Sequence, residues 1–306
     1  MKLAVVLNEA AGTLLGEPVD QAVRDVRDWF ERAGAEVEVS SAAGPACVPA
    51  LRRAAESDVD VVVVGGGDGT INTAAGMLVG TGKALGVLPL GTMNLLAKDL
   101  GITLPLEDAV AALARGTIHA IDVGEVNGHV FLNNSVLGLY PAMVQERERQ
   151  RGVHGLRKWP AMTVAAIKSL WAFPRLTVTV DTGSGPRLIN TPVLAVANNA
   201  YDDGFGQFLQ RSRLDAGELA VYVARHRNAL GLLRLMADVA LGTWQRNPDL
   251  EAYTVTELTV ASRRRRLKVA NDGEVLRLTP PLRYRVRAKA LNVLLPAPAP
   301  SAEAVA

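Results

Sequence analysis

The sequence predicts an α/β domain on a doubly wound, parallel-rich sheet, followed by a β-rich, sandwich-like domain. Three observations predict this. Val61–Val64 is a run of four β-branched residues, as in a strand buried on both faces of a helix-covered parallel sheet. Up to about residue 120, strand-like and helix-like stretches alternate. From Ile118 onward short β-rich runs take over at spacings that suggest an antiparallel sheet or sandwich.

The elements follow in order. Lys2–Leu7 reads as a strand, and Pro18–Ala33 as a helix whose Ala22, Val26, Trp29 and Phe30 recur at helical spacing before Gly34 ends it. Ala35–Ser40 alternates as a strand does. Cys47–Ser57 suggests a helix, Val61–Val64 a strand, Ile71–Val79 a helix and Leu85–Leu88 a strand. A helix through Leu100 and another over Leu106–Arg115 complete the α/β pattern. The β-rich runs are Ala120–Val126, His129–Ser135, Leu176–Val180, Pro192–Ala197, Glu218–Ala224, Thr254–Ala261, Arg265–Ala270 and Val275–Thr279. Helical inserts at Ala161–Ala172 and Ala229–Leu241 interrupt them. A last strand, Leu291–Leu295, is placed back on the first domain. The predicted division is residues 1–122 joined by 288–296, residues 123–287, and a disordered Pro/Ala tail at 297–306.

Composition sets the outer limits. Of 306 residues, 49% are hydrophobic and 21% charged, ordinary for a globular chain long enough for two cores. A net charge of +2 gives no strong global field, so partners must be argued from local patches. Cys47 is the single cysteine and excludes an internal disulfide; with an opening that reads as a strand, it predicts a cytoplasmic setting. No apolar run reaches the length of a membrane span, so membrane contact is expected to be peripheral.

Two glycine turns carry the chemistry. After Val61–Val64 come Gly65-Gly66-Gly67-Asp68-Gly69-Thr70, then a helical pattern. Glycines allow a close backbone approach, and amide groups at a helix N-terminus make an anion site. A carboxylate there would repel phosphate unless a divalent cation lies between, so the segment reads as a nucleotide-phosphate loop with metal. It has neither the Lys-Ser/Thr pair of a Walker A loop nor a dinucleotide GxGxxG pattern. Gly91-Thr92-Met93-Asn94 follows the Leu85–Leu88 strand in the same way, and ligands in open α/β sheets gather where strands end.

GGGDGT, GTMNLLA and the late Asn271-Asp272-Gly273-Glu274, in this order and spacing, resemble the diacylglycerol kinase catalytic family, which includes bacterial lipid kinases and sphingosine kinases. Weaker similarity covers nearly the whole chain: Val5–Asn8 with Gly12, Ile121–Gly124, Phe131–Ser135 with Gly138, and Ala197–Asn199 with Gly204 and Gly206. The resemblance implies a β-sandwich second domain, an active-site cleft between domains, ATP and Mg²⁺, and phosphoryl transfer to a lipid hydroxyl. Gly66, Gly67, Gly69 and Thr70 would then hold ATP phosphates, Asp68 would orient Mg²⁺, and Gly91, Thr92 and Asn94 would complete the phosphate and ribose side. Asn8 would lie near the nucleoside. Asp272 would be the general base, although Asn-Asp-Gly is also an ordinary hairpin turn. Glu274 would orient that base or touch nucleotide, or is a solvated strand charge.

Two departures stand out. Leu95 occupies a place where many family members carry an acid, which would shift metal binding to Asp68 and Asp122; Asp122 reads equally as a structural hydrogen-bonding residue. Glu9 replaces the usual proline after Asn8. Asp215 matches a segment that holds a structural metal in some members, with a simple turn as the alternative.

The other polar groups say less. His119, His129, His154 and His226 lack metal-ligand spacing. Arg263–Arg266 reads as an exposed hairpin and not as a nucleic-acid patch, since no aromatic residues interleave it. Arg147, Arg149, Arg151, Arg157 and Lys158 beside Trp159 read as a contact with anionic lipid or, since Glu146 and Glu148 dilute the charge, as a solvated helix. Apolar helices at Trp159–Phe173 and Leu230–Trp244 either line an acyl pocket or pack in the core. Which lipid is phosphorylated stays open, as does a homodimer. Two other readings remain: a soluble-substrate enzyme like NAD kinase, and a non-catalytic nucleotide-binding regulator, for which Leu95 speaks.

Overall fold

The computed structural model describes residues 1–12, 18–102, 105–141, 176–202, 209–225 and 229–297. The chain forms two compact units, residues 1–122 together with the stretch from Lys289 on, and residues 123–288. The first unit carries a parallel sheet. Its strands are β1 (Lys2–Asn8), β2 (Glu36–Ala42), β3 (Val61–Gly66) and β4 (Ala84–Pro89), side by side in the order β2-β1-β3-β4. Every pairing is parallel, in registers such as Val5 with Val39 and Val63. All of β3 is buried, because helices cover both faces: α1 (Val19–Arg32), α2 (Cys47–Glu56), α3 (Asp68–Leu78), the short α4 (Leu95–Asp99) and α5 (Leu106–Ala114). Burying each such valine is worth roughly 1.5–3 kcal/mol.

The chain leaves this unit along β5 (Thr117–Val126) and returns along β16, a 14-residue strand, Leu282–Leu295. Asn292 and Val293 of β16 pair in parallel with Ala84 and Leu85 of β4, and Leu291, Val293 and Leu294 are fully buried. Asp122, fully buried where the chain leaves, accepts the amide of Lys289 where it returns (2.8 Å). The expected strand covers only Leu291–Leu295, yet Leu282, Tyr284, Val286 and Ala288 alternate with Arg and Lys before it, the period-2 signal of a half-buried strand, and Leu282 and Tyr284 are buried. Ala297, where the tail is expected to begin, is tied to the first unit, its amide donating to the Ala112 carbonyl (3.0 Å).

The second unit is an antiparallel sandwich. One sheet orders β12 (Leu250–Val255), β11 (Leu219–Ala224), β10 (Val193–Asn198), β7 (Asn134–Gly138), β14 (Leu267–Asn271) and β15 (Glu274–Leu278). The other layer includes β8 (Leu176–Asp181), β9 (Pro186–Thr191), β13 (Glu257–Ala261) and the first half of β16, while β5 forms a hairpin with β6 (His129–Phe131). Strand alternation divides the core. Leu219, Val221 and Val223 of β11 face Val178, Val260 and Leu282 between the sheets. Ala220, Tyr222 and Ala224 turn to a second cluster with Trp244 and with Leu232 and Leu235 of α6 (Ala229–Ala240). Leu230, Leu233 and Leu241 stay exposed, so this apolar helical stretch is only partly core.

Several boundaries differ from the expected ones. The run Thr254–Ala261 is two strands, β12 and β13, and β9 escapes pattern reading because its residues are mostly exposed. The run His129–Ser135 breaks at Leu132-Asn133 into β6 and β7. The cause of that break lies in the site. Arg263–Arg266 is exposed between β13 and β14. The helical insert at 161–172, the basic cluster at 147–158, His154, His226, Gly204, Gly206 and the chain beyond 297 lie outside the described residues.

Candidate functional site

In the first unit, β1 connects outward to β2 and then crosses to β3 on its other side, so the sheet reverses its winding between β1 and β3. The carboxyl ends of strands at such a point are where open α/β sheets bind ligands. Three loops meet there. The Asn8 amide Nδ2 donates to the Thr70 hydroxyl (2.8 Å), which ties the loop after β1 to the start of α3. A Cβ on Gly12 would lie 3.8 Å from the Thr92 hydroxyl. The loops after β3 and β4 touch backbone to backbone: a Cβ on Gly91 would fall 2.5 Å from Gly67 Cα and 2.8 Å from Asn94 Oδ1, so only glycine fits.

Asp68 holds this arrangement together. It is the first residue of α3, not a loop residue ahead of it, and Gly67 takes the cap position. Its Oδ2 accepts the Asn94 amide (3.1 Å) and its Oδ1 the Leu95 amide (2.7 Å), so one carboxylate caps the start of α4. Asn94 is in the left-handed region (φ +50°), which asparagine tolerates, and its side chain is committed to its own loop. Oδ1 accepts the Gly91 amide (2.9 Å), and Nδ2 donates to the Gly91 and Pro89 carbonyls (2.8 and 3.3 Å). Asn94 is thus a loop brace, and Asp68 a clamp between the two glycine turns. Thr92 is exposed beside them. The first-turn amides of α3, at Asp68 and Gly69, precede any intrahelical acceptor and end in the positive pole of the helix, which suits phosphate.

In the second unit, β14 and β15 are joined by a two-residue turn. Asn271 pairs with Glu274, and Asp272 and Gly273 both take positive φ (+45° and +85°), the pattern of a type I′ hairpin. The turn reading of Asn-Asp-Gly and a polar role for Asp272 therefore coexist. The Asp272 carboxylate reaches into the break between β6 and β7. Oδ2 accepts the Leu132 amide (2.7 Å) and Oδ1 those of Asn133 and Asn134 (2.9 and 2.8 Å). Those amides leave the ladder to meet the carboxylate, which is why the strand expected over His129–Ser135 is interrupted. Burial pushes the Asp272 carboxyl up to about 6, against the opposing pull of the three amides and the Arg211 guanidinium.

Polar side chains surround it. Tyr201 donates its hydroxyl to Asn133 Oδ1 and accepts from Asn134 Nδ2 (2.8 Å). Burial raises the Tyr201 phenol well above its ordinary range. Arg211, 1% exposed, donates Nη1 to the Leu132 and Asn198 carbonyls (2.6 and 2.7 Å). Asn133 Nδ2 and Asn271 Oδ1 are buried without a hydrogen-bond partner among the described residues, a polarity open to water or ligand. Arg211 and Tyr201 escape sequence reading, since no motif or spacing singles out Arg211 between Gln210 and Ser212. Glu274 is exposed on β15.

The carboxylates expected to hold metal do not gather. Asp68 accepts one amide on each oxygen, Asp122 is buried against Lys289, and Asp215 is exposed 3.8 Å from the Arg213 guanidinium. Among the described residues no group of three His, Cys, Asp or Glu side chains could hold a metal ion. His119 and His129 are exposed strand residues. No helix among the described residues is long and apolar enough to cross a membrane.

Comparison with known proteins matches both units. Residues 2–126 match the diacylglycerol kinase catalytic domain, and residues 138–295 the YegS C-terminal NAD kinase β-sandwich-like domain. A diacylglycerol kinase of Bacillus subtilis (strain 168) is 40% identical over 136 residues, covering 42% of this chain and 43% of that protein. A protein of Yersinia pestis (strain Pestoides F) named as a YegS-like lipid kinase is 39% identical over 129 residues, 40% of this chain and 43% of that one. The match thus spans less than half the length of these relatives. The crystal structure of a diacylglycerol kinase from Bacillus anthracis superposes with a TM-score of 0.72 at 16% identity, covering 97% of both chains, a likeness of fold.

Proposed function

The chain belongs to the diacylglycerol kinase catalytic family, with the family's YegS-type C-terminal sandwich, and we propose that it transfers the γ-phosphate of ATP to a lipid hydroxyl such as that of diacylglycerol. The convergence of three loops at the winding reversal of the first unit carries this reading. Amides at the start of α3, with the Thr70 hydroxyl, bind the phosphates, and the Gly67–Gly91 contact keeps side chains out of their way. Magnesium, where it accompanies ATP, neutralises phosphate charge. In the reaction the acceptor oxygen bonds to the γ-phosphorus, the bond from that phosphorus to the bridging oxygen breaks, and ADP leaves. The hydroxyl proton passes to Asp272. A carboxyl near 6 is mostly ionised at neutral pH yet more basic than an ordinary aspartate, which suits a general base.

The test is phosphorylation of a panel of acceptors by the purified protein with labelled ATP: diacylglycerol, phosphatidylglycerol, sphingosine and ceramide in mixed micelles, and NAD in buffer. Label in a lipid supports the proposal. Label in NAD alone would support the second reading, which the NAD kinase-like description of residues 138–295 favours.

A further inference from the structure

The peptide between residues 132 and 133 connects two charged groups. Its N–H donates to Asp272 Oδ1 (2.9 Å), and its carbonyl accepts from Arg211 Nη1 (2.6 Å). The same carbonyl takes a second bond from Asn198 Nδ2 (3.2 Å), and Arg211 Nη1 also reaches the Asn198 carbonyl (2.7 Å). Arginine thereby cross-links the end of β10 to the break between β6 and β7. Nothing in a strand break demands a charge, and burying a guanidinium is costly unless a compensating charge lies near. The carboxylate of Asp272, one peptide away, is one such charge, and the guanidinium in turn pulls its carboxyl downward. A hydrogen bond to a carbonyl polarises its peptide and strengthens the bond its N–H donates.

We propose that Arg211 is a positioning residue for Asp272: through the 132–133 peptide it fixes the three amides that grip the carboxylate and favours its ionised form. This rests on the reading of Asp272 as the base. Among the described residues, the charged and titratable side chains facing that carboxylate are Arg211 and Tyr201; Tyr201 stays neutral across the working range, and Arg211 contributes a positive field.

The test uses the full chain with Arg211→Met, Arg211→Gln and Arg211→Lys, ATP and dioleoylglycerol in mixed micelles. Three readouts are taken: the pH dependence of kcat, the Asp272 carboxyl titration by carbon NMR (assigned by its loss in Asp272→Asn), and thermal unfolding. Loss of the charge should move the acid limb of kcat and the NMR titration upward together by about one pH unit, with KM for ATP unchanged. Arg211→Lys should return most of that shift. If Arg211→Met does not fold, Arg211→Gln, which keeps a donor for the Leu132 carbonyl, is read in its place. An unmoved titration with a lowered unfolding temperature would make Arg211 purely structural and overturn the proposal. A moved NMR titration with an unmoved kinetic limb would uphold Arg211 and remove Asp272 from the role of base.

Discussion

Two aspartates sit in the motifs that named themselves in the sequence, and each does something the motif alone does not reveal. Asp68 accepts the amides of Asn94 and Leu95 at the start of α4, so Asp68→Ala should cost about 2 kcal/mol of stability, the usual worth of hydrogen bonds to a charged group. ATP affinity should fall with it, because the second glycine turn loses its anchor. Asp68→Asn keeps one acceptor and should lose less of both. Calorimetric titration with ATP beside thermal unfolding separates these outcomes; intact affinity in the alanine variant would show that the clamp is dispensable. Asp272→Asn should lower kcat by about 10²–10⁴-fold and leave ATP affinity in place. The sign of the pH dependence follows from the raised carboxyl: below about 6 it is protonated and cannot accept a proton, so kcat should fall as pH drops through that value. A flat profile between pH 5 and 8 would be at odds with this assignment.

The elements show why those side chains arrive where they do. Gly91 closes the loop after β4 onto Gly67, and in Gly91→Ala the new methyl meets backbone that cannot yield. The loops must part, and ATP affinity should fall by about tenfold or more, a loss near 1.4 kcal/mol. An unchanged dissociation constant would argue that nucleotide does not depend on this contact. The β14–β15 hairpin offers a parallel case. Gly273 at φ +85° has open space around it, so Gly273→Ala meets strain and not collision, at a cost of about 1–2 kcal/mol. Because the turn aims Asp272 at the β6–β7 break, kcat should fall while ATP affinity holds. Equal kcat in the two proteins would mean the carboxylate finds its amides without the turn.

At the scale of the molecule, the first unit is discontinuous in sequence. Without the second half of β16 it loses Leu291, Val293 and Leu294, each fully buried, and one of the two parallel partners of β4. At roughly 1.5–3 kcal/mol per residue this loss is comparable to the 5–15 kcal/mol that holds a domain together. Residues 1–122 alone should therefore fail to fold cooperatively. The same residues joined to 289–297 by a flexible Gly/Ser linker should recover a sharp transition, because loop closure costs little for added length. Circular dichroism melts of the two fragments decide the matter, and identical melts would count against a shared core.

Period and composition alone determined the α/β character of the first unit, its buried β3, the glycine turns and the β-rich second unit. These are local properties: a run of valines, a glycine cluster and alternating apolar residues carry the same physical meaning in any chain. Tertiary structure decided the rest. It gave Asp68 and Asn94 backbone partners in the second glycine turn, because a carboxylate or amide takes whichever donors and acceptors the fold brings within 3 Å or so. It split His129–Ser135, since Asp272 lies some 140 residues further along and no window of sequence holds both. It buried Arg211 one peptide away from that carboxylate. Each of these depends on groups far apart in the chain becoming neighbours, and neighbourhood in space is what a linear pattern does not encode.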